Sequence, residues 1–167
     1  NSTTGNVPTG FFRQFFFQEN LDKIAEFFSQ SRNTAPHIAR TSRILASAQD
    51  ALINCWHATE DIRAVTEAIH NLAVSIPKLL LMDDTPGCEY ADERSELLIG
   101  ELPQNAAECP ALARALFFNY ENRSALMSKL GNYEKRITYE GKAWDLIERY
   151  PQHIPTSQQI SFIYNRA

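Results

Sequence analysis

The 167-residue chain has 16 basic and 20 acidic side chains and is 44% hydrophobic and 22% charged, the balance of a folded globular protein and not of a disordered one. Six glycines and eight prolines are too few to punctuate an all-β sandwich, so helices are the first expectation. A net charge of -4 with no long block of either sign argues against non-specific nucleic-acid binding and against attachment to anionic membranes.

In chain order, residues 1–9 are small and polar and read as a disordered lead-in. Phe12, Phe16, Leu21, Ile24, Ala25 and Phe28 recur at helical spacing over 10–32, with a possible break near Asn20. Thr34 ahead of Pro36, followed by Ile38, Ile44, Leu45, Ala48, Leu52 and Cys55, predicts a helix over 35–57. Thr59 reads as the cap of the next helix, running through Ile62, Val65, Ile69 and Leu72, which Pro77 is expected to bend or stop. Asp83-Asp84-Thr85-Pro86-Gly87 is the clearest loop signal, and it marks a division at 83–89. Further helices are expected over 90–101, 110–130 and 133–150, and a capping-box pair, Thr156 and Gln159, opens a last one over 157–166. No alternating strand pattern of useful length occurs, so the fold class is all-α, built of antiparallel hairpins.

From Gly131 to Trp144 the chain reads Gly-Asn-Tyr-Glu-Lys-Arg-Ile-Thr-Tyr-Glu-Gly-Lys-Ala-Trp. This resembles the turn and second helix of a tetratricopeptide repeat, with Tyr120, Ser124 and Met127 upstream and Ile160, Ser161 and Tyr164 downstream at the positions of two successive first helices. The resemblance covers 117–167. It departs from the family at Arg136, where a small alanine is usual, and in the 37-residue spacing of Ser124 and Ser161, against about 34 residues in the family. It implies a short right-handed superhelix over 90–167, stacked on an N-terminal helical bundle or divergent hairpins over 10–82. Gly131 would end the first helix, Tyr133 would wedge between the two helices, and Ala143 would allow close approach. The resemblance further implies a concave binding surface on the first helices, formed by Glu121, Asn122, Ser128 and Lys129 and then by Gln158, Gln159, Asn165 and Arg166. Long polar side chains of this kind suit recognition of an extended protein or peptide chain. Glu121 and Ala125 stand where some family members carry the Lys and Asn that clamp a C-terminal carboxylate, so a chaperone-tail partner is disfavoured.

Reactive clusters are sparse. Cys55 and His57 point about 200° apart on a helix and cannot share a proton or a metal. His37, His70 and His153 are scattered, the six glycines form no phosphate-binding loop, and no paired Cys motif or His-Glu-x-x-His is present. No cofactor or metal and no catalytic residue is therefore expected. Trp144 and Glu148 have the Trp-x-x-x-Glu spacing of bacterial effectors that act on small GTPases, but Trp144 also falls where the repeat needs a packed apolar side chain. Cys55, Cys88 and Cys109 are an odd, widely spaced set, which points to a reducing, cytoplasmic setting. The Phe-rich segment Phe11–Phe17 is too short for a membrane span, and the initial Asn reads as the start of a fragment or processed form.

The resulting expectation is a non-catalytic helical-repeat module that binds a protein or peptide, with its oligomeric state open. Two alternatives stand beside it. One is a ligand- or peptide-sensing regulatory domain that controls an output domain, and the other an effector or enzyme with a cryptic site near Cys55, Cys88 and the acidic stretch 83–93.

Overall fold

The computed structural model describes residues 35–166, with side chains over 46–165, and contains no strand among them. The expectations for 1–9, for the helix over 10–32 and for the Phe-rich segment lie outside the described residues. Six α-helices follow one another: α1 (Ala35–Thr59), α2 (Ile62–Leu81), α3 (Thr85–Gly100), α4 (Pro110–Leu130), α5 (Tyr133–Arg149) and α6 (Thr156–Arg166), with a short 3-10 turn at Ala106–Glu108 before α4. The chain divides into two compact units between Ala68 and Ile69. That division falls inside α2, not in the segment 83–89.

In the first unit, Leu52, Ile53, Cys55 and Trp56 of α1 and Ala64, Val65 and Ala68 of α2 are buried. The buried amide of Gln49 donates to the Ala68 carbonyl at 3.1 Å. Thr59 does not cap α2. It ends α1, where its hydroxyl donates back to the Cys55 carbonyl at 2.7 Å and accepts the Asp61 N–H at 3.3 Å. Glu60 turns the chain at φ 53°, and the capping role passes to Asp61, whose carboxylate accepts the Arg63 N–H at 3.0 Å.

Pro77 neither stops nor breaks α2, which continues to Leu81. A proline inside a helix offers no N–H to the carbonyl four residues earlier, here that of Ala73. Asn122 of α4 meets that need, its amide donating to Ala73 O at 2.8 Å.

The expected loop over 83–89 is mostly helix. Asp84 caps α3 by accepting the Gly87 N–H at 2.9 Å, with Pro86 in the first turn. The turn formers that signalled a loop are thus a helix start. A Cβ at position 87 would lie 2.4 Å from an Asp84 carboxylate oxygen, so a larger residue there would push that carboxylate from its capping position.

α4 is the central element of the second unit. Leu112, Ala113, Leu116, Phe117, Asn119, Tyr120, Arg123, Leu126 and Met127 are all buried along it. Gly131 ends α4 in the left-handed conformation, φ 75°. The Asn132 N–H then bonds the Met127 carbonyl at 2.9 Å, and the Asn132 side chain accepts the Lys135 N–H at 3.2 Å to start α5. Ala143 is completely buried, whereas Tyr133 is 60% exposed and does not wedge between the helices. Arg136 lies at the half-exposed edge of α5 and pairs with Glu140 at 2.8 Å.

α6 lies against both helices of the preceding hairpin through one buried ring. Phe162 meets Phe117 of α4 edge-on at 5.4 Å and stacks with Trp144 of α5 at 6.4 Å. Gln159 does not complete the expected capping box with Thr156. Its amide donates to the carbonyls of Pro151 and Ile154 at 2.9 and 2.8 Å, closing the turn that leads into α6.

Candidate functional site

Two of the eight residues expected to line a binding surface are committed to the fold: Asn122 to the Ala73 carbonyl and Gln159 to the turn before α6. Ser128 and Lys129 are exposed at the end of α4, and Gln158 and Asn165 are exposed on α6. The Arg166 side chain lies outside the described ones. Glu121 is half-buried, and burial alone pushes its carboxyl up to about 7.

The densest polar constellation lies elsewhere, where α3, α4 and α5 meet. Arg123 of α4 is 0% exposed. Its Nε donates to Asp92 Oδ1 at 2.8 Å, Nη1 to Asn119 Oδ1 at 3.2 Å, and Nη2 to Glu96. Its guanidinium lies over the Tyr139 ring, 4.1 Å from the centroid, and farther from Tyr120 at 5.6 Å. Asp92 is also buried. Its Oδ1 accepts the Tyr139 hydroxyl at 2.8 Å and its Oδ2 the Lys135 ammonium at 3.3 Å. The Asn119 amide donates to Ser95 Oγ at 3.0 Å and to the Ile69 carbonyl at 3.2 Å, so α2 is tied in as well.

The electrostatics follow from this geometry. Burial works to raise the Asp92 pKa, but hydrogen bonds from Arg123 and Tyr139, together with the charges of Arg123 and Lys135, outweigh it and hold the carboxyl below its ordinary value. Burial likewise works against the Arg123 charge and is overcome by Glu96 and Asp92. Only Glu96 and Lys135 reach solvent, so the cluster is a closed core with a wet rim. An Asp92 held deprotonated with both oxygens occupied is suited to joining helices and poorly suited to moving a proton.

Sequence reasoning missed this cluster because its members pair across long separations, 31 residues for Asp92 and Arg123 and 47 for Asp92 and Tyr139. A signal was nonetheless present. Arg123 continues the stripe Leu112, Leu116, Asn119 of a helix that goes on with Leu126 and Met127, and Asp92 lies between Cys88 and Ser95 on a face of α3 made of small or apolar residues. A charge on the buried side of such a stripe announces a partner.

Among the described residues no three His, Cys, Asp or Glu side chains group to hold a metal ion. No described helix is long and apolar enough to cross a membrane. Cys55 and Cys88 are buried, Cys109 is half-buried and all three are free thiols. Compared with protein families, with curated proteins and with solved structures, the chain matches none of them.

Proposed function

We propose that this chain is a non-catalytic binding module of tetratricopeptide-like helical hairpins that takes an extended peptide or protein segment along α4 and α6. The observation that carries this reading is the seat of Phe162 against Phe117 of α4 and Trp144 of α5. In a repeat of this kind the first helix of a following repeat sits against both helices of the one before it. Exposed Ser128 and Lys129 on α4 and Gln158 and Asn165 on α6 then offer the polar groups that an extended chain's amides and carboxylates need. Half-buried Glu121, whose carboxyl ionises near neutrality, adds a site able to accept a peptide N–H when charged and to donate when protonated.

The test is a displayed peptide library panned on the full chain, with calorimetry on the recovered sequences. Lys129→Glu should weaken an acidic peptide by tenfold or more, about 1.4 kcal/mol, and the difference should shrink in high salt. Recovery of no peptide, or equal affinity for wild type and variant at low salt, overturns the reading.

A further inference from the structure

Glu121 is the only acidic residue of α4, and among the described residues no side chain donates to its carboxylate or pairs with it. It lies half-buried, and burial is the sole cause of its raised pKa, with no opposing charge to offset it. Asp92 is the contrast. It is buried more deeply, yet Arg123, Tyr139 and Lys135 hold it ionised. A carboxylate withdrawn from water without compensation weakens the folded protein, and uncompensated groups of this kind recur where a ligand supplies what the fold does not.

The cations within reach along the chain are placed elsewhere. Arg114 and Lys129 stand seven and eight residues from Glu121, which is about 10 and 12 Å along the helix axis. Arg123 is engaged with Asp92, Asn119 and Glu96. α6, which packs on α4 through Phe162, has no charged residue from Thr156 to Asn165.

The surroundings of Glu121 fit the stem of a long cationic side chain. Phe118 and Glu121, at i and i+3, are neighbours on the surface of α4. Phe118 is half-exposed and stacks with the exposed His70 of α2, ring centroids 5.3 Å apart. Lysine and arginine lay their methylenes on apolar surface of this kind while the charged head stays in a polar setting, and a cation beside an aromatic ring is further attracted to it. A single carboxylate is too few ligands for a metal ion. A neutral N–H would leave the carboxylate charge unbalanced.

We infer that Glu121 is a recognition point for a basic side chain: a lysine or arginine of the bound segment lays its stem on Phe118 and pairs its head with the Glu121 carboxylate. This rests on the proposed binding of an extended segment along α4 and α6, and it names a residue that the segment carries.

The test uses Glu121→Gln, which keeps the shape of the side chain, removes its charge and is expected to fold at least as well as the wild type. A displayed peptide library is panned at pH 8 on both full-length proteins. Recovered sequences are synthesised with acetylated N-termini, so that only a side chain can supply the cation. A Lys or Arg at a fixed position should be enriched on the wild type and not on the variant. Replacing that peptide residue with norleucine should weaken binding to the wild type by about tenfold or more, and to Glu121→Gln by less than about twofold, which isolates the pair as a double-mutant cycle. Peptides that bind without a basic position, an equal loss on both proteins, or loss of binding on acetylation each overturns the proposal and leaves the binding reading standing. Recovery of no peptide by either protein overturns both.

Discussion

α4 and α6 make an instructive pair. α4 hides a charged side chain completely, Arg123 at 0% exposure, while α6 leaves Tyr164 at 79%. Intrinsic hydrophobicity predicts the reverse order. What decides burial here is the neighbouring helix: α5 lies over α4, and no described helix lies over the outward side of α6. Because α5 covers it, Arg123 needs an acceptor for each exposed edge of its guanidinium, and Asp92, Asn119 and Glu96 supply them. α6 needs no such compensation, because apolar groups tolerate water at modest cost per side chain.

The sharpest way to break the contrast is Asp92→Asn. This change leaves the buried Arg123 charge with only the half-exposed Glu96 as its anionic partner, and the expected loss is up to about 3 kcal/mol, readable as a fall in the denaturation midpoint. Removing the Lys135 ammonium, which is half in solvent, should cost less than about 1 kcal/mol. Since the Asp92 pKa is lowered on folding, its contribution is present above the ordinary carboxylate range and is lost as pH falls through the folded value. A strong Lys135 effect, or none from Asp92, would show that the charge cluster is not what holds α3, α4 and α5 together.

Ala143→Leu probes the cover itself. Ala143 is fully buried in α5, and two added branches there should overpack the hairpin by about 1–3 kcal/mol. An unchanged midpoint in urea would mean that α4 and α5 have room to separate.

An effect smaller than that of Asp92 sharpens the comparison through pH. Burial raises Glu121 from 4.5 to about 7, so its folded form favours the proton. Its contribution is therefore full below the unfolded value and is lost as pH rises through about 7. Glu121→Gln should stabilise the protein by about 1–2 kcal/mol at pH 8 and leave stability near pH 4 unchanged. Thermal melts of both proteins across that range check it, and parallel curves would refute it.

Local signals were well read where local chemistry decides. Gly131-Asn132 terminates α4 and starts α5 within a residue of the expected boundaries, because a left-handed cap and an Asn cap act over four residues. The same locality misled at 83–89, where Asp84, Pro86 and Gly87 suit a turn and a helix start equally, and only the Asp84 hydrogen bond to Gly87 separates them. Near the start of α2 both Thr59 and Asp61 can cap, and the choice of Asp61 depends on the turn at Glu60. The binding-surface residues were chosen by helix position alone. Position does not reveal that Asn122 and Gln159 are already engaged, since each partner carbonyl is fixed by the fold.

The proline in α2 has an evolutionary consequence. Pro77 leaves the Ala73 carbonyl without a helical donor, and Asn122 fills the vacancy from another helix. Asn122 is harmless beside an ordinary residue at 77, but Pro77 without Asn122 strands a carbonyl in the interior. The order of substitution is thereby constrained, with the amide permitting the proline. Once the proline is in place, replacing Asn122 carries the cost of an unpaired buried carbonyl, and replacing Pro77 first avoids it.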